Sequence, residues 1–341
     1  MKKKNVFVIQ HNKGKKMNKI LHLAITSALL SAGLANAADD GFVFGNNDLG
    51  DEVGVLVPSG HAFVRDKSGT VTDLGTLGGS GSRAYDINNH GQIVGESDTS
   101  RPGYTQHHAT LWEDGKIIDL KTLGGHNSYA TMIHDSGQII GYSLVTGGGY
   151  YHATLWNGAS APIDLGTLNR PGTSIANDIN IHGQVVGYAD PNILAQEYHA
   201  VIWDGTKITD IGLLFEGRFM ESQAGDINDN GYVVGYSSID PNIVPSNSHG
   251  FLWHKDMGII DQTSLLDPEL IAQGWVVITG GVIDNNNLIS TIAYNTNTHK
   301  EMNIQLQVPV SPVPEPTTWA MLLAGLGLLG FVGRKSKLLN A

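Results

Sequence analysis

NDINIHGQVVGYADPNILAQEYHAVIWDGTKITDIGLL, residues Asn177 to Leu214, reads as one complete structural unit, and most of the chain repeats it with changes. Aligned copies of GQVVG begin at Gly50, Gly91, Gly137, Gly183 and Gly231. Copies of the HAxxW element begin at His61, His108, His152, His199 and His249. A repeat of about 45 residues marks blades or solenoid turns, because each unit is one supersecondary element that buries its apolar face only against its neighbours.

Within a unit, four short segments rich in Val, Ile, Tyr and Trp are separated by turn residues, the pattern of a four-stranded meander. INNHG and INDNG place Asn and Gly at the tip between the first two strands, and WEDGK and WDGTK place Asp-Gly between the last two, where a hairpin needs positive φ. GQIVG carries two adjacent apolar residues, so both of its faces are expected to be covered. The HATLW strand alternates, which puts Trp112, Trp156, Trp203 and Trp253 in equivalent layers between successive units. A sixth unit, Gly274 to Leu306, keeps the turn but lacks the His and Trp, as a terminal repeat does. The expectation is an all-β protein, a six-bladed β-propeller spanning residues 38–308.

The 341 residues contain 43 Gly and no Cys, so the chain is turn-rich, and disulfides, thiolate metal sites and a Cys nucleophile are excluded. Seven Lys precede Leu21, and Arg334, Lys335 and Lys337 close the chain. Between Ala38 and Val313 there are 11 basic and 31 acidic residues, a net charge near −20. Such a surface repels phosphate backbones, so nucleic acid is rejected as a partner.

Residues 1–37 read as a secretion signal: a Lys-rich start, an apolar run from Ile20 to Leu34, and the small-residue cleavage triplet Ala35-Asn36-Ala37. Met1 and Met17 are both candidate starts. At the other end, Pro314-Glu315-Pro316 precedes an apolar run from Trp319 to Val332, and Arg334 and Lys335 follow it. As a helix, 14 residues reach about 21 Å, short of a hydrocarbon core of about 30 Å, so the expected anchoring in the inner membrane is transient. These three parts in order resemble the PEP-CTERM sorting signal. The resemblance implies a Gram-negative bacterium, processing by an exosortase-type membrane protease, and release to the cell surface or polysaccharide matrix. The last segment, 309–341, is accordingly read as linker plus sorting signal.

The set GQIVGYS, HATLW and DLGTLGG resembles the extracellular HAF repeat, visible as His61-Ala62-Phe63. That resemblance covers nearly the whole body and implies export and repetition, without a defined activity.

Two features invite chemistry and are better explained by structure. The His of HAxxW returns in five units, whereas a catalytic site needs one asymmetric constellation, so a repeated structural hydrogen bond is expected. Asp226 to Gly231 fits the first half of a calcium loop, but Ser237 stands where a bidentate Glu belongs, so turn chemistry is expected. No cofactor is expected beyond weak surface-held Ca²⁺. The variable loops between second and third strands lie on one rim. Tyr104, His107, Tyr150, Tyr151 and Tyr198 would gather there as a polysaccharide-binding surface. The enzymatic alternative is a propeller-fold glycoside hydrolase or lyase acting at an axial channel, with carboxylates brought together by folding.

Overall fold

In the computed structural model the described residues are 41–100, 106–147, 149–191, 197–215, 220–238 and 248–308. They form six four-stranded antiparallel sheets in chain order, here numbered 1 to 6 and spanning 42–75, 78–119, 124–164, 174–212, 222–261 and 275–307. In sheets 1 to 5 each strand pairs with the next along the chain, as the meander pattern predicts. Sheet 6 reaches four strands differently. Its first strand is broken into Trp275–Val277 and Val282–Ile283, and both pieces pair with Leu288–Asn295. A 3₁₀ turn, Gln262–Leu265, and a short helix, Pro268–Ala272, whose first amide is capped by Asp267, lead into it.

The hairpin tips follow the turn residues. In WEDGK, Asp114 and Gly115 take φ of 51° and 71°, the paired positive values of a two-residue hairpin. Gly141, inside the second strand of sheet 3, is dictated by packing: the first strand slips register at this point, and a Cβ here would collide with the carbonyl of Tyr129. The same clash with a first-strand carbonyl recurs at Gly95, Gly187 and Gly235, which explains why the last Gly of GQIVG returns in each unit.

Successive sheets stack through one repeated apolar layer. Register sets Ile93, Ile139, Val185 and Val233 opposite Trp112, Trp156, Trp203 and Trp253. These pairs face the preceding sheet, as when Ile93 and Trp112 pack with Val53 and Ala62 of sheet 1. The other face carries pairs such as Val94 with Leu111, packed against Trp156 of sheet 3. Trp156 and Trp203 are fully buried and Trp112 nearly so, as the sequence predicts; Trp253 is only half-buried.

Polar ties accompany the stacking. Ser82, Ser128, Ser174 and Ser222, each in the first strand of its sheet, reach back to the sheet before. Their hydroxyls accept from the amides of Ala62, Ala109, Ala153 and Ala200, at 2.8 to 2.9 Å, and donate to the carbonyls of Gly75, Lys121, Gly166 and Gly212. At the hairpin tips, Asn47, Asn88, Asn180 and Asn228 donate to the backbone carbonyl at the next tip, on Asn88, His134, Asn228 and Asp284. Asp86, Asp178 and Asp226 accept the amides of Ile133, Ile227 and Ile283 in the sheet that follows, at 2.7 to 2.9 Å. Asn228 and Asp226 are thus engaged in joining sheets, the turn chemistry expected of the half calcium loop.

The ends of the row depart from this scheme. In sheet 1 the Ile/Trp register position is held by Glu52 and Arg65, an ion pair of 2.7 Å. Val43, aligned with the fully buried Ala84, Ala130 and Ala224, is 40% exposed. In sheet 6 the outward face carries Ser290 with Gln305, where sheet 2 has Val94 with Leu111, and Asn303 and Gln305 are exposed. The two end faces therefore lack the apolar layer that joins successive sheets, and the ring closure that the repeat count predicts is not built from that layer.

Candidate functional site

The five repeated histidines resolve first. Nδ1 of His61, His108, His152, His199 and His249 lies 2.6 to 3.0 Å from the carboxylate of Asp73, Asp119, Asp164, Asp210 and Asp261 on the adjacent fourth strand. A carboxylate only accepts, so Nδ1 carries the proton and donates. The same Asp also accepts the amide two residues on, at Gly75, Lys121, Gly166, Gly212 and Thr263. Burial opposes ionisation of Asp164, but the bonds from His152 and the Gly166 amide outweigh it and hold this carboxyl below its ordinary range. Asp119 and Asp261 are lowered in the same way, against burial, by His108 with Lys121 and by His249 with Thr263. Five copies of one pairing make a repeated clamp on the outer hairpin of sheets 1 to 5, as the repetition predicts.

An asymmetric cluster forms on the edge where the second strand runs into the third. In sheet 3, Tyr129, Tyr142 and Tyr151 come from three neighbouring strands and meet on one face. The ring centroids of Tyr142 are 4.9 Å from Tyr129 and 5.3 Å from Tyr151, the latter edge-on. From sheet 2, His107 approaches Tyr129 at 6.1 Å while its Nδ1 holds Asp98 at 2.8 Å. In sheet 4, Tyr188 and Tyr198 meet edge-on at 5.1 Å. Of the residues expected on this rim, His107, Tyr151 and Tyr198 each lie in one of these aromatic groups. Tyr150 is half-buried, and its carbonyl accepts from the Val145 amide within its own loop. Tyr104 lies outside the described residues, as do Ala35, Ala37, Pro314, Glu315, Pro316, Arg334 and Lys335.

Beneath the cluster is a polar network that the sequence reading missed. Glu96 occupies in sheet 2 the strand position held by Tyr142 in sheet 3 and Tyr188 in sheet 4. Its side chain is nearly buried, paired with Arg83 at 2.6 Å and accepting the Tyr85 hydroxyl at 2.8 Å. Burial, reinforced by the Glu96 charge, keeps the Tyr85 phenol protonated far above its ordinary range. Burial likewise raises Tyr129 and Tyr142, and pushes Tyr188 up to about 12, with further contributions from Tyr198, Glu221 and Asp190. These phenols remain hydrogen-bond donors throughout the physiological range. The legible signal was GES in one unit where others read GYS or GYA.

Comparisons with known proteins bear chiefly on the C-terminus. Residues 312–337 match the PEP-CTERM protein-sorting motif. This motif is a sorting signal that indicates export, processing by a membrane exosortase and direction to the cell surface. The match contains Pro314, Glu315, Pro316, Arg334 and Lys335. Comparison with curated proteins yields no match. Among solved structures, the chain is similar to a putative TolB from Agrobacterium tumefaciens, at 12% identity over 76% of this chain and 87% of the other, with a TM-score of 0.40. It is also similar to TolB from Acinetobacter baumannii, at 13% identity over 85% and 70%, with a TM-score of 0.36.

Proposed function

We propose that this protein is a non-catalytic component of the cell surface or extracellular polysaccharide matrix. In this reading it is an exported HAF-type repeat protein, a row of propeller blades that binds glycan through the rim carrying His107, Tyr129, Tyr142, Tyr151, Tyr188 and Tyr198. The observation that carries the reading is the aromatic cluster itself. Tyrosine faces stack on the C–H faces of sugar rings while their protonated hydroxyls donate to sugar oxygens, and two such groups on neighbouring sheets suit an extended chain better than a small molecule. Use of the five repeated imidazoles in one identical clamp supports a binding role over a catalytic one.

The test is a glycan array, probed with the secreted chain and with a Tyr151→Ala plus Tyr198→Ala variant. Both side chains sit at strand starts on the rim, so the variant is expected to fold and to lose most of the bound signal. Equal binding by the two proteins, or turnover of any arrayed glycan, would overturn the proposal.

A further inference from the structure

Where a repeat is this regular, a position that is covered in several units and open in one marks an asymmetry that packing alone does not require. The repeated tryptophan shows such a break. Trp112, Trp156 and Trp203 are 4%, 0% and 0% exposed, whereas Trp253 is half-buried and lines a cleft of about 310 Å³ between sheets 4 and 5. This cleft opens among the hairpin tips, at the opposite ends of the strands from the aromatic rim. Its volume sits at the small end of ligand pockets, which suits a single small ring.

The chemistry of the lining is specific. As at Trp112 and Trp203, the indole N–H at Trp253 has no hydrogen-bond partner among the described residues, and neither the His182 ring nor the Lys255 ammonium makes a side-chain hydrogen bond or ion pair among them. Lys255 owes its place to a turn one residue longer than in sheets 2 and 4: three residues separate His254 from Gly258, against two between Glu113 and Lys116 or Asp204 and Lys207. On the same wall, His254 stacks on Tyr232 at 4.6 Å, which fixes its ring. Asp204 holds only a 3.5 Å contact from Gln184 and is left as an acceptor, while the Asp229 carboxylate already accepts from the Ile181 amide and the Asn285 side-chain amide. The cleft thus offers an aromatic face, uncommitted donors including one full positive charge, and one free carboxylate. Lys255 is the one Lys or Arg lining the cleft and has no ion pair among the described residues, so a ligand that brings a carboxylate to that spot supplies its counter-charge.

We infer that the cleft between sheets 4 and 5 binds a uronic acid unit. The sugar ring lies on Trp253, its carboxylate is met by Lys255 and His182, and its hydroxyls are met by Asp204. The inference is independent of the rim reading, because the two surfaces share no residue.

Titration of the full secreted chain with methyl glucuronide and, as the neutral counterpart, methyl glucoside, followed by tryptophan fluorescence, tests it. The expected result is a saturable change with the glucuronide and at least about tenfold weaker binding of the glucoside, the difference one charge-assisted hydrogen bond supplies. Lys255→Met, an exposed turn substitution, is expected to fold and to bring the two sugars to equal, weak binding, while Tyr151→Ala plus Tyr198→Ala leaves the glucuronide response unchanged. Equal binding of both sugars by the parent chain, no response to the glucuronide, an unaltered preference in Lys255→Met, or loss of the response only in the rim variant would each overturn the assignment.

Discussion

His152 and Asp164 show what a single pair contributes to a repeat of this kind. The imidazole is buried and its Nδ1 donates to a carboxylate that also closes the turn at Gly166, so one aspartate fixes the start of the third strand and the end of the fourth. Because the folded carboxyl titrates below its ordinary value of about 3.9, it contributes stability that is fully present above that value and lost as pH falls through the lower folded one. Asp164→Asn is therefore expected to lower the urea midpoint at pH 6, and the difference from the parent protein is expected to shrink as pH falls below the ordinary carboxylate range and through the lower folded value. A midpoint difference that stays constant over that fall in pH would show that the aspartate acts through shape alone. The pairing was legible as a periodicity, since His and Asp recur in every full unit. Its partner was not, because twelve residues of sequence separation becomes contact only once the hairpin register is known.

At the scale of the element, sheets 1 to 5 are joined in turn by an apolar layer and by one serine at each junction, and Gln262 bonds the Phe251 and Gly280 carbonyls between sheets 5 and 6. Ser174 is buried and completes two bonds across the junction of sheets 3 and 4: it accepts from Ala153 and donates to Gly166. Ser174→Ala leaves that buried amide and carbonyl without these partners, so it is expected to cost about 1–3 kcal/mol, read as a fall in urea midpoint. This junction also lacks the tip bond that Asn makes elsewhere, since His134 stands in the repeated Asn position. The loss should therefore exceed that of Ser222→Ala at the next junction, where Asn180 still ties the tips; equal losses would show that the tips do not share the load. Strand order and layer were readable from the sequence because GQIVG and HATLW keep one period. The cleft at Trp253 was not, because its cause is one extra residue in a turn and incomplete cover on an otherwise conserved-looking position within the repeat.

Sheets 1 to 6 follow one another through junctions that share one apolar layer, and the outer faces of the first and last sheets do not carry that layer. A unit of about 45 residues cannot bury both faces by itself, so an interior sheet has two apolar faces and a terminal sheet must stop the propagation. Glu52 paired with Arg65 does this at the first sheet, with the Arg65 guanidinium 5.4 Å from the Phe63 ring, and Asn303 and Gln305 do it at the last. Counting repeats predicts six sheets, but not how the ends meet, because the residues that break the period carry that information, and their polarity is visible only after alignment by register. Replacing Glu52 and Arg65 by the Ile and Trp of the next unit would turn the first sheet into one more interior sheet with nothing to cover it. The double variant Glu52→Ile plus Arg65→Trp is expected to sediment as larger species at concentrations where the parent chain does not, since an exposed apolar face of this kind associates with a second copy. If instead it sediments as the parent does and unfolds at a higher urea concentration, the new pair has found cover within its own chain, and the first and last sheets are in contact after all.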